Sequence, residues 1–277
     1  MPSVLMSSGD RPLRVMTYNI RLNTSFDGEN AWPYRKDRVA GLILRCLPDL
    51  LGLQEVLKDQ LDDLMERLPN FAWIGSGRGD GKLKGEFSPI FYDTSRLDAT
   101  DSGTFWLSPT PHVPGSKGWD ADLPRVCTWG CFRDKTTGNF LFHFNTHFDH
   151  VGTQARIESA RLLAARVDEL AGDAPVVITG DFNLTNTFEG YHILVQFFQD
   201  ARTSAVAGHT GPEGTFFGFD ASNERGPCID YIFTRNGVET LTHTTVLDRS
   251  NGSYPSDHAP VLADVLIPTI EVPEENL

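Results

Sequence analysis

The segment Tyr254-Pro-Ser-Asp-His-Ala-Pro sets an acid and an imidazole, Asp257 and His258, directly before the alternating apolar run 260–266. Such a run reads as a strand, so the pair stands at a strand mouth. The arrangement recurs along the chain. Asn19 follows Val15-Met16-Thr17-Tyr18, and Gln54 and Glu55 follow the apolar run 49–53. Asn145, His147 and Asp149 alternate at the end of a Phe-rich run, which aims all three at one face of a strand. Asp181 and Asn183 come after Val176-Val177-Ile178-Thr179-Gly180, and Asp230 interrupts Cys228-Ile-Asp-Tyr-Ile-Phe. Each residue alone has an ordinary explanation as a turn former, a helix cap or a satisfied histidine. Together, six segments bring carboxylate, carboxamide or imidazole groups to strand ends, where folds build their sites.

Convergence of these groups would demand a cation. Two carboxylates about 4 Å apart repel by about 4 kcal/mol at an effective dielectric near 20. Glu55, Asp149, Asp181 and Asp257 in one pocket would have to take up protons or bind a metal. The candidate ligands are oxygen donors and imidazole, with no cysteine among them. Hard oxygen ligands select Mg²⁺, Mn²⁺ or Ca²⁺ over Zn²⁺, and Mg²⁺ characteristically shares its shell with substrate phosphate. Histidines beside such an ion can face a phosphate oxygen rather than the metal.

The elements that must position these groups follow from periodicity. Amphipathic helices are predicted over about 34–46, 57–68, 153–170 and 189–198, the first from Val39, Leu42, Ile43 and Cys46 at helical spacing. Strands are predicted at 11–19, 49–56, 71–76, 88–93, 104–108, 125–134, 139–149, 175–181, 228–235, 239–248 and 260–266. Runs 49–56 and 175–181 are apolar on both faces, as buried strands are. A hairpin-rich middle between outer parts that alternate strand and helix suits two mixed sheets packed face to face with helices outside.

Bulk properties narrow the function. The chain has 277 residues, 40% of them hydrophobic, enough for one large domain; the expected division is a tail over 1–12, a domain over 13–268 and a tail over 269–277. The net charge of −13 argues against long nucleic acid as partner, because such binding rests on Lys and Arg neutralising phosphates. No apolar run reaches the length of a membrane span, and no secretory leader is read at the N-terminus. Four cysteines without a C-x-x-C spacing read as reduced thiols of a cytoplasmic protein. Trp32, Trp106 and Trp119 are candidate rim aromatics. The segment 109–124, rich in Pro and Gly, reads as a rim loop. Arg125 follows it, and either caps a loop end as a solvated charge or reaches the substrate phosphate beside His147 with its bidentate fork.

The ordered set TYNIR (Asn19), LQE (Glu55), NTHFDH (His147, Asp149), GDFN (Asp181, Asn183), IDYIF (Asp230) and SDHAPV (Asp257, His258) resembles the endonuclease/exonuclease/phosphatase superfamily, deoxyribonuclease I among its members. The similarity runs from residue 16 to 262 and is greatest to the bacterial metal-dependent hydrolase branch. It implies an α/β (α+β) four-layer sandwich of two mixed sheets flanked by helices. It also implies roles: Glu55 as principal ligand of Mg²⁺ or Mn²⁺ with Asn19 and Asp257 assisting; Asp181 activating water; Asn183 and His147 on the phosphate; His258 paired with Asp230 and facing a phosphate oxygen. Asp149 is assigned with Arg125 to substrate binding. The expected activity is a metal-dependent phosphoesterase that hydrolyses a phosphodiester or phosphomonoester, acting as a monomer on a small or exposed substrate. The alternatives are a nuclease, such as a 3′–5′ RNA exonuclease of deadenylase type, and an inactive binding protein on the same fold, which would lack a ligand position.

Overall fold

The computed structural model describes residues 11–220, 226–249 and 253–268. The tails expected over 1–12 and 269–277 therefore lie outside the described residues, apart from Arg11 and Pro12. In chain order the elements are β1 (Leu13–Asn19), a 3-10 turn (Ser25–Asn30), α1 (Trp32–Cys46), β2 (Leu50–Gln54), α2 (Lys58–Arg67), β3 (Phe71–Ile74) and β4 (Ile90–Asp93). Then come β5 (Leu97–Trp106), β6 (Val126–Asp134), β7 (Phe140–His147), α3 (Thr153–Ala171), β8 (Val176–Asp181) and α4 (Glu189–Phe197). The remainder is β9 (Gln199–Asp200), α5 (Ala201–Ser204), β10 (His209–Thr210), β11 (Asp230–Arg235), β12 (Glu239–Thr245) and β13 (Val261–Leu266).

Two mixed sheets result. One has the order β10-β12-β13-β1-β2-β4-β3 and the other β5-β6-β7-β8-β11-β9. Strand alternation distributes the apolar side chains into three layers. Between the sheets lie Val15, Leu50, Ile90, Phe132, Leu141, Val177, Ile232 and Val265. On the outside of the first sheet, Met16, Tyr18, Leu51 and Leu53 meet Val39, Ile43, Leu61 and Leu64 of α1 and α2. On the outside of the second, Phe144, Ile178, Tyr231 and Phe233 meet Ala160, Leu163, Val167 and Leu194 of α3 and α4. Helix, sheet, sheet, helix is the four-layer sandwich that the periodicities predict.

Local signals explain most boundaries. Pro33 sits in the first turn of α1, where its missing N–H has no partner to lose. Leu47 ends α1 in the left-handed region at φ 51° before Pro48. The exception is β5, which begins seven residues earlier than its apolar end at Thr104 suggests. Its first half, Leu97-Asp-Ala-Thr-Asp-Ser-Gly, lies at the edge of its sheet, so polar side chains there meet water and the alternation signal vanishes.

The sheets touch most closely beneath the strand ends. A Cβ on Gly52 of β2 would lie 2.1 Å from Thr179 Oγ1 and 2.4 Å from Asn145 Oδ1, so only glycine allows the approach. Asn145 bolts the sheets together: its Nδ2 donates to the carbonyls of Leu53 (2.8 Å) and Pro89 (2.9 Å), and its Oδ1 accepts from Gln54 Nε2 (2.7 Å).

His143 lies in the same layer, fully buried, with Nε2 2.8 Å from Thr179 Oγ1 and Nδ1 unpartnered among the described residues. Burial alone pushes its pKa down to about 3. A folded pKa below the unfolded value means that the unfolded chain binds more protons between the two. Stability from this ring is therefore present above about 6.5 and is lost as pH falls toward 3. Urea denaturation should show His143→Gln losing about 2 kcal/mol less than wild type between pH 7 and pH 5. Equal losses in the two proteins would show that His143 does not drive the acid sensitivity.

Candidate active site

Strand register brings the polar groups together. Asn19 is paired with Gln54 across β1 and β2, which puts Glu55 one residue beyond. His147 is paired with Asp181 across β7 and β8, and Asp181 with Asp230 across β8 and β11. The pocket above these ends has a volume of about 320 Å³ and includes Glu55, His147, Asp181, Asn183, Asp257 and His258 in its lining.

Asp181 Oδ2 is the hub. It accepts from Asn19 Nδ2 at 3.0 Å and lies 3.5 Å from His147 Nε2 and 3.7 Å from His258 Nε2. Its other oxygen accepts from the backbone N–H of Asn183 at 3.0 Å. Burial, then the nearby Asp230 carboxylate, raises the Asp181 pKa to about 7, against the opposing pull of His258 and Asn19. A carboxyl poised there can exchange a proton at neutral pH.

His258 Nδ1 meets Asp230 Oδ2 at 2.9 Å, and Thr215 Oγ1 donates to the same carboxylate oxygen at 2.6 Å. Burial opposes the charge on His258, but Asp230, Asp181 and Asp257 outweigh it and raise its pKa to about 10. His258 is therefore an imidazolium at neutral pH, with Nδ1–H fixed on Asp230 and Nε2–H turned toward Asp181.

The opposite wall carries the carboxylates without such a partner. Glu55, in the left-handed region at φ 61°, accepts from Asn19 Nδ2 (3.1 Å) and from the backbone N–H of Leu22 (3.0 Å). Arg21, forked onto Asp27 at 2.9 and 3.0 Å, reaches within 3.8 Å of Glu55 and 3.9 Å of Asp257. Burial and, against the pull of His258, the Glu55 charge push the Asp257 carboxyl upward.

Glu55 and Asp257, with Asn19 and Asp181 beside them, fit a hard divalent cation: the donors are oxygens, and His258, Arg21 and Arg35 together still leave the buried Asp257 carboxyl raised. Asn19 would have to turn its amide oxygen inward, since its Nδ2 now faces both carboxylates. Asp181, Asp230 and His258 also bring ligand atoms within 4.8 Å of one another. That trio fits a metal less well, because the ring nitrogen nearest Asp230 is already hydrogen-bonded to it and the ring carries charge.

Two sequence assignments change. Asp149 is not among the pocket-lining residues. The chain leaves the strand after His147, so the alternation that should aim Asp149 inward ends there. Its carboxylate instead accepts from the backbone N–H groups of Gly152 (2.7 Å), Val151 (3.0 Å), Asp122 (3.2 Å) and Leu123 (3.2 Å), which lower its pKa to about 2 against the opposing effect of burial. Arg125 does line the pocket, but its donors face His147 Nδ1 (3.0 Å), His150 Nδ1 (3.0 Å) and Asp149 (3.4 Å) rather than an open phosphate seat. Trp32 and Trp106 are buried, so they are not rim aromatics; Trp119 is partly exposed. The apolar lining comes from Leu22, Leu123, Phe216 and Ile229.

Arg21, Glu86, His150 and Phe216 line the pocket without having been singled out from sequence. Two had a signal: Arg21 lies two residues after Asn19, and His150 closes the NTHFDH motif. Glu86 is delivered by the loop before β4, where Arg78 holds its carboxylate at 2.5 and 2.9 Å.

The ends of the two packed sheets thus bring together a histidine held by Asp230, a second histidine held by Arg125, a hub aspartate and a cluster of carboxylate oxygens. The sequence model described as Endonuclease/Exonuclease/phosphatase family matches residues 16–258, and the chain belongs to that family. It is similar to the crystal structure of an endonuclease/exonuclease/phosphatase from Bacteroides vulgatus, with 39% identity, 93% of this chain and 100% of that chain covered, and a TM-score of 0.89. It is also similar to a mannosyl-6-phosphatase of Bacteroides thetaiotaomicron, with 37% identity, coverage of 91% and 99%, and a TM-score of 0.87. An uncharacterized protein of Acanthamoeba polyphaga mimivirus is 29% identical over 182 residues, 62% of this chain and 67% of that protein. No helix among the described residues is long and apolar enough to cross a membrane.

Proposed function

We propose that this chain is a divalent-cation-dependent phosphoesterase that hydrolyses the phosphomonoester of a small polar alcohol. The observation that carries this reading is the placement of Asp181 Oδ2 within 3.0–3.7 Å of Asn19, His147 and His258 in one pocket with Glu55 and Asp257. Glu55 and Asp257, with Asn19, would hold Mg²⁺ or Mn²⁺, which when bound supplies charge stabilisation to the phosphoryl oxygens. Asp181 takes a proton from the water that attacks phosphorus in line. The bond to the leaving alcohol oxygen breaks as the new P–O bond forms, and that oxygen takes up a proton from solvent. Charged His258 and the N–H of His147 meet the negative charge that develops on the phosphoryl oxygens, and Asn183 orients the group.

A monoester is favoured over a diester by the cationic and imidazole lining: Arg21, His147, His150 and His258 suit a dianion. The volume of about 320 Å³ suits a small substrate, and the net charge of −13 disfavours a nucleic-acid strand. The resemblance to a mannosyl-6-phosphatase supports a sugar phosphate.

Release of phosphate from a panel of sugar phosphates, nucleotides, phosphodiesters and oligonucleotides tests the proposal. Sugar phosphates should turn over fastest with Mg²⁺ or Mn²⁺, and activity should vanish in chelator and return on adding metal. Full activity after verified metal removal, or cleavage of oligonucleotides alone, would sink it.

A further inference from the structure

The guanidinium of Arg125 is buried, 5% exposed, and faces two imidazoles. Nη1 lies 3.0 Å from His147 Nδ1 and Nη2 lies 3.0 Å from His150 Nδ1. Guanidinium has donors and no acceptor, and it keeps its charge in proteins. A ring nitrogen bonded to it must offer a lone pair. In each ring Nδ1 is then unprotonated, and the one remaining proton sits on Nε2.

His147 tests this logic from its other side. Its Nε2 is 3.0 Å from Asn183 Nδ2, which also donates to the Phe148 carbonyl at 3.0 Å, and a neutral imidazole cannot accept at both nitrogens. Of the two contacts only one can change hands. Turning the Asn183 amide gives up its bond to the Phe148 carbonyl but presents Oδ1 to the ring, whereas a guanidinium offers donors in every orientation. The Arg125 bond therefore stands, and Nε2–H lies on the pocket side of the ring, between the Asn183 amide at 3.0 Å and Asp181 Oδ2 at 3.5 Å. Glu86 would favour the reverse tautomer, but its nearest oxygen is 3.9 Å from Nδ1 and its carboxylate is held bidentately by Arg78. Asp149 anchors Arg125 through Nε at 3.4 Å and is itself tied to four backbone N–H groups. Burial, then the charges of Arg125 and Arg78, hold the His147 pKa well below the ordinary histidine value, in keeping with a neutral ring.

We propose that Arg125 is a positioning residue that locks His147 and His150 in the neutral tautomer protonated on Nε2, so that both rings offer an N–H to the bound substrate. The site then uses its two flanking histidines in opposite forms: His258 as an imidazolium held by a carboxylate, His147 as a neutral donor held by a guanidinium. The catalytic consequence rests on the phosphoesterase reading, while the tautomer does not.

Long-range ¹H–¹⁵N correlation spectra of the ¹⁵N-labelled full chain at pH 7, without substrate, read the tautomer directly. His147 and His150 are assigned by comparison with His147→Gln and His150→Gln. Wild type should show Nδ1 unprotonated and Nε2 protonated in both rings. Arg125→Lys, still a pure donor, should keep that pattern at His147, and Arg125→Met should replace it by a tautomer mixture. With the preferred phosphate ester, Arg125→Met should lower kcat about 100-fold with KM changed less, as loss of one oriented donor does, and Arg125→Lys should recover part. An Nδ1–H tautomer or an imidazolium at His147 in wild type overturns the proposal. If Arg125→Met does not fold, that wild-type spectrum still decides. Failure to hydrolyse any phosphate ester would overturn the proposed function and leave the spectral result standing.

Discussion

Asp181→Asn should lower kcat by about 10³–10⁴-fold and leave thermal stability unchanged or higher. The asparagine keeps the shape and its Oδ1 can still accept from the Asn183 N–H, with its NH₂ then toward the Asn19 amide, but it cannot take the proton of the attacking water. The stability half follows from the electrostatics. Asp181 is buried, pushed up to about 7 by burial and then by Asp230, and such a carboxylate is a folding liability kept for its chemistry. Removing the charge removes that cost. Steady-state kinetics and a thermal melt on the same preparation check both halves. A kcat within tenfold of wild type would assign the proton to another group. A melt lowered by many degrees would make Asp181 a structural residue.

Glu55→Gln should weaken Mn²⁺ binding by at least about 100-fold, judged against the 10–100-fold typical of losing a group that only supports a ligand. The argument is positional. Glu55 is held in the left-handed region by the turn out of β2, with one oxygen on Asn19 and one on the Leu22 N–H, so the carboxylate is oriented before any ion arrives. Glutamine preserves the size and removes the charge that faces the cation. Its own N–H₂ must then oppose either Asn19 Nδ2 or the Leu22 N–H. Calorimetric titration with Mn²⁺ gives the result directly, and kcat at saturating metal should recover in part. An unchanged dissociation constant would move the metal elsewhere, with the Asp181–Asp230–His258 trio as the next position to test.

Much of this was legible in the chain itself. The helices are there in the spacing of Val39, Leu42, Ile43 and Cys46 and of Ile157, Ala160, Ala164 and Val167, because one face of a helix must be apolar to be buried. Buried strands are there in the unbroken runs 50–53 and 176–179. Strand ends are where loops let polar groups converge beside such runs, so Asn19, Glu55, Asp181, Asp230 and His258 were visible as a set. Register then aligned them as pairs, Asn19 beside Gln54 and Asp181 between His147 and Asp230.

What the chain did not disclose depends on where the backbone stops being regular. Period-two reasoning aimed Asp149 into the pocket, but the strand ends at His147, and two residues later its carboxylate answers to loop N–H groups instead. The polar half of β5 read as loop because an edge strand needs no alternation. Arg125 looked like a phosphate fork because its residue type suits one. Only folding shows that a buried guanidinium already faces two imidazoles. Glu86, Arg78 and Arg21 come from loops whose paths follow from contacts far apart in sequence, such as Arg21 reaching Asp257. Sequence determines which chemistry the strand ends can do. Tertiary structure decides which protons each ring carries, because that depends on whether a carboxylate or a guanidinium arrives at the same ring nitrogen.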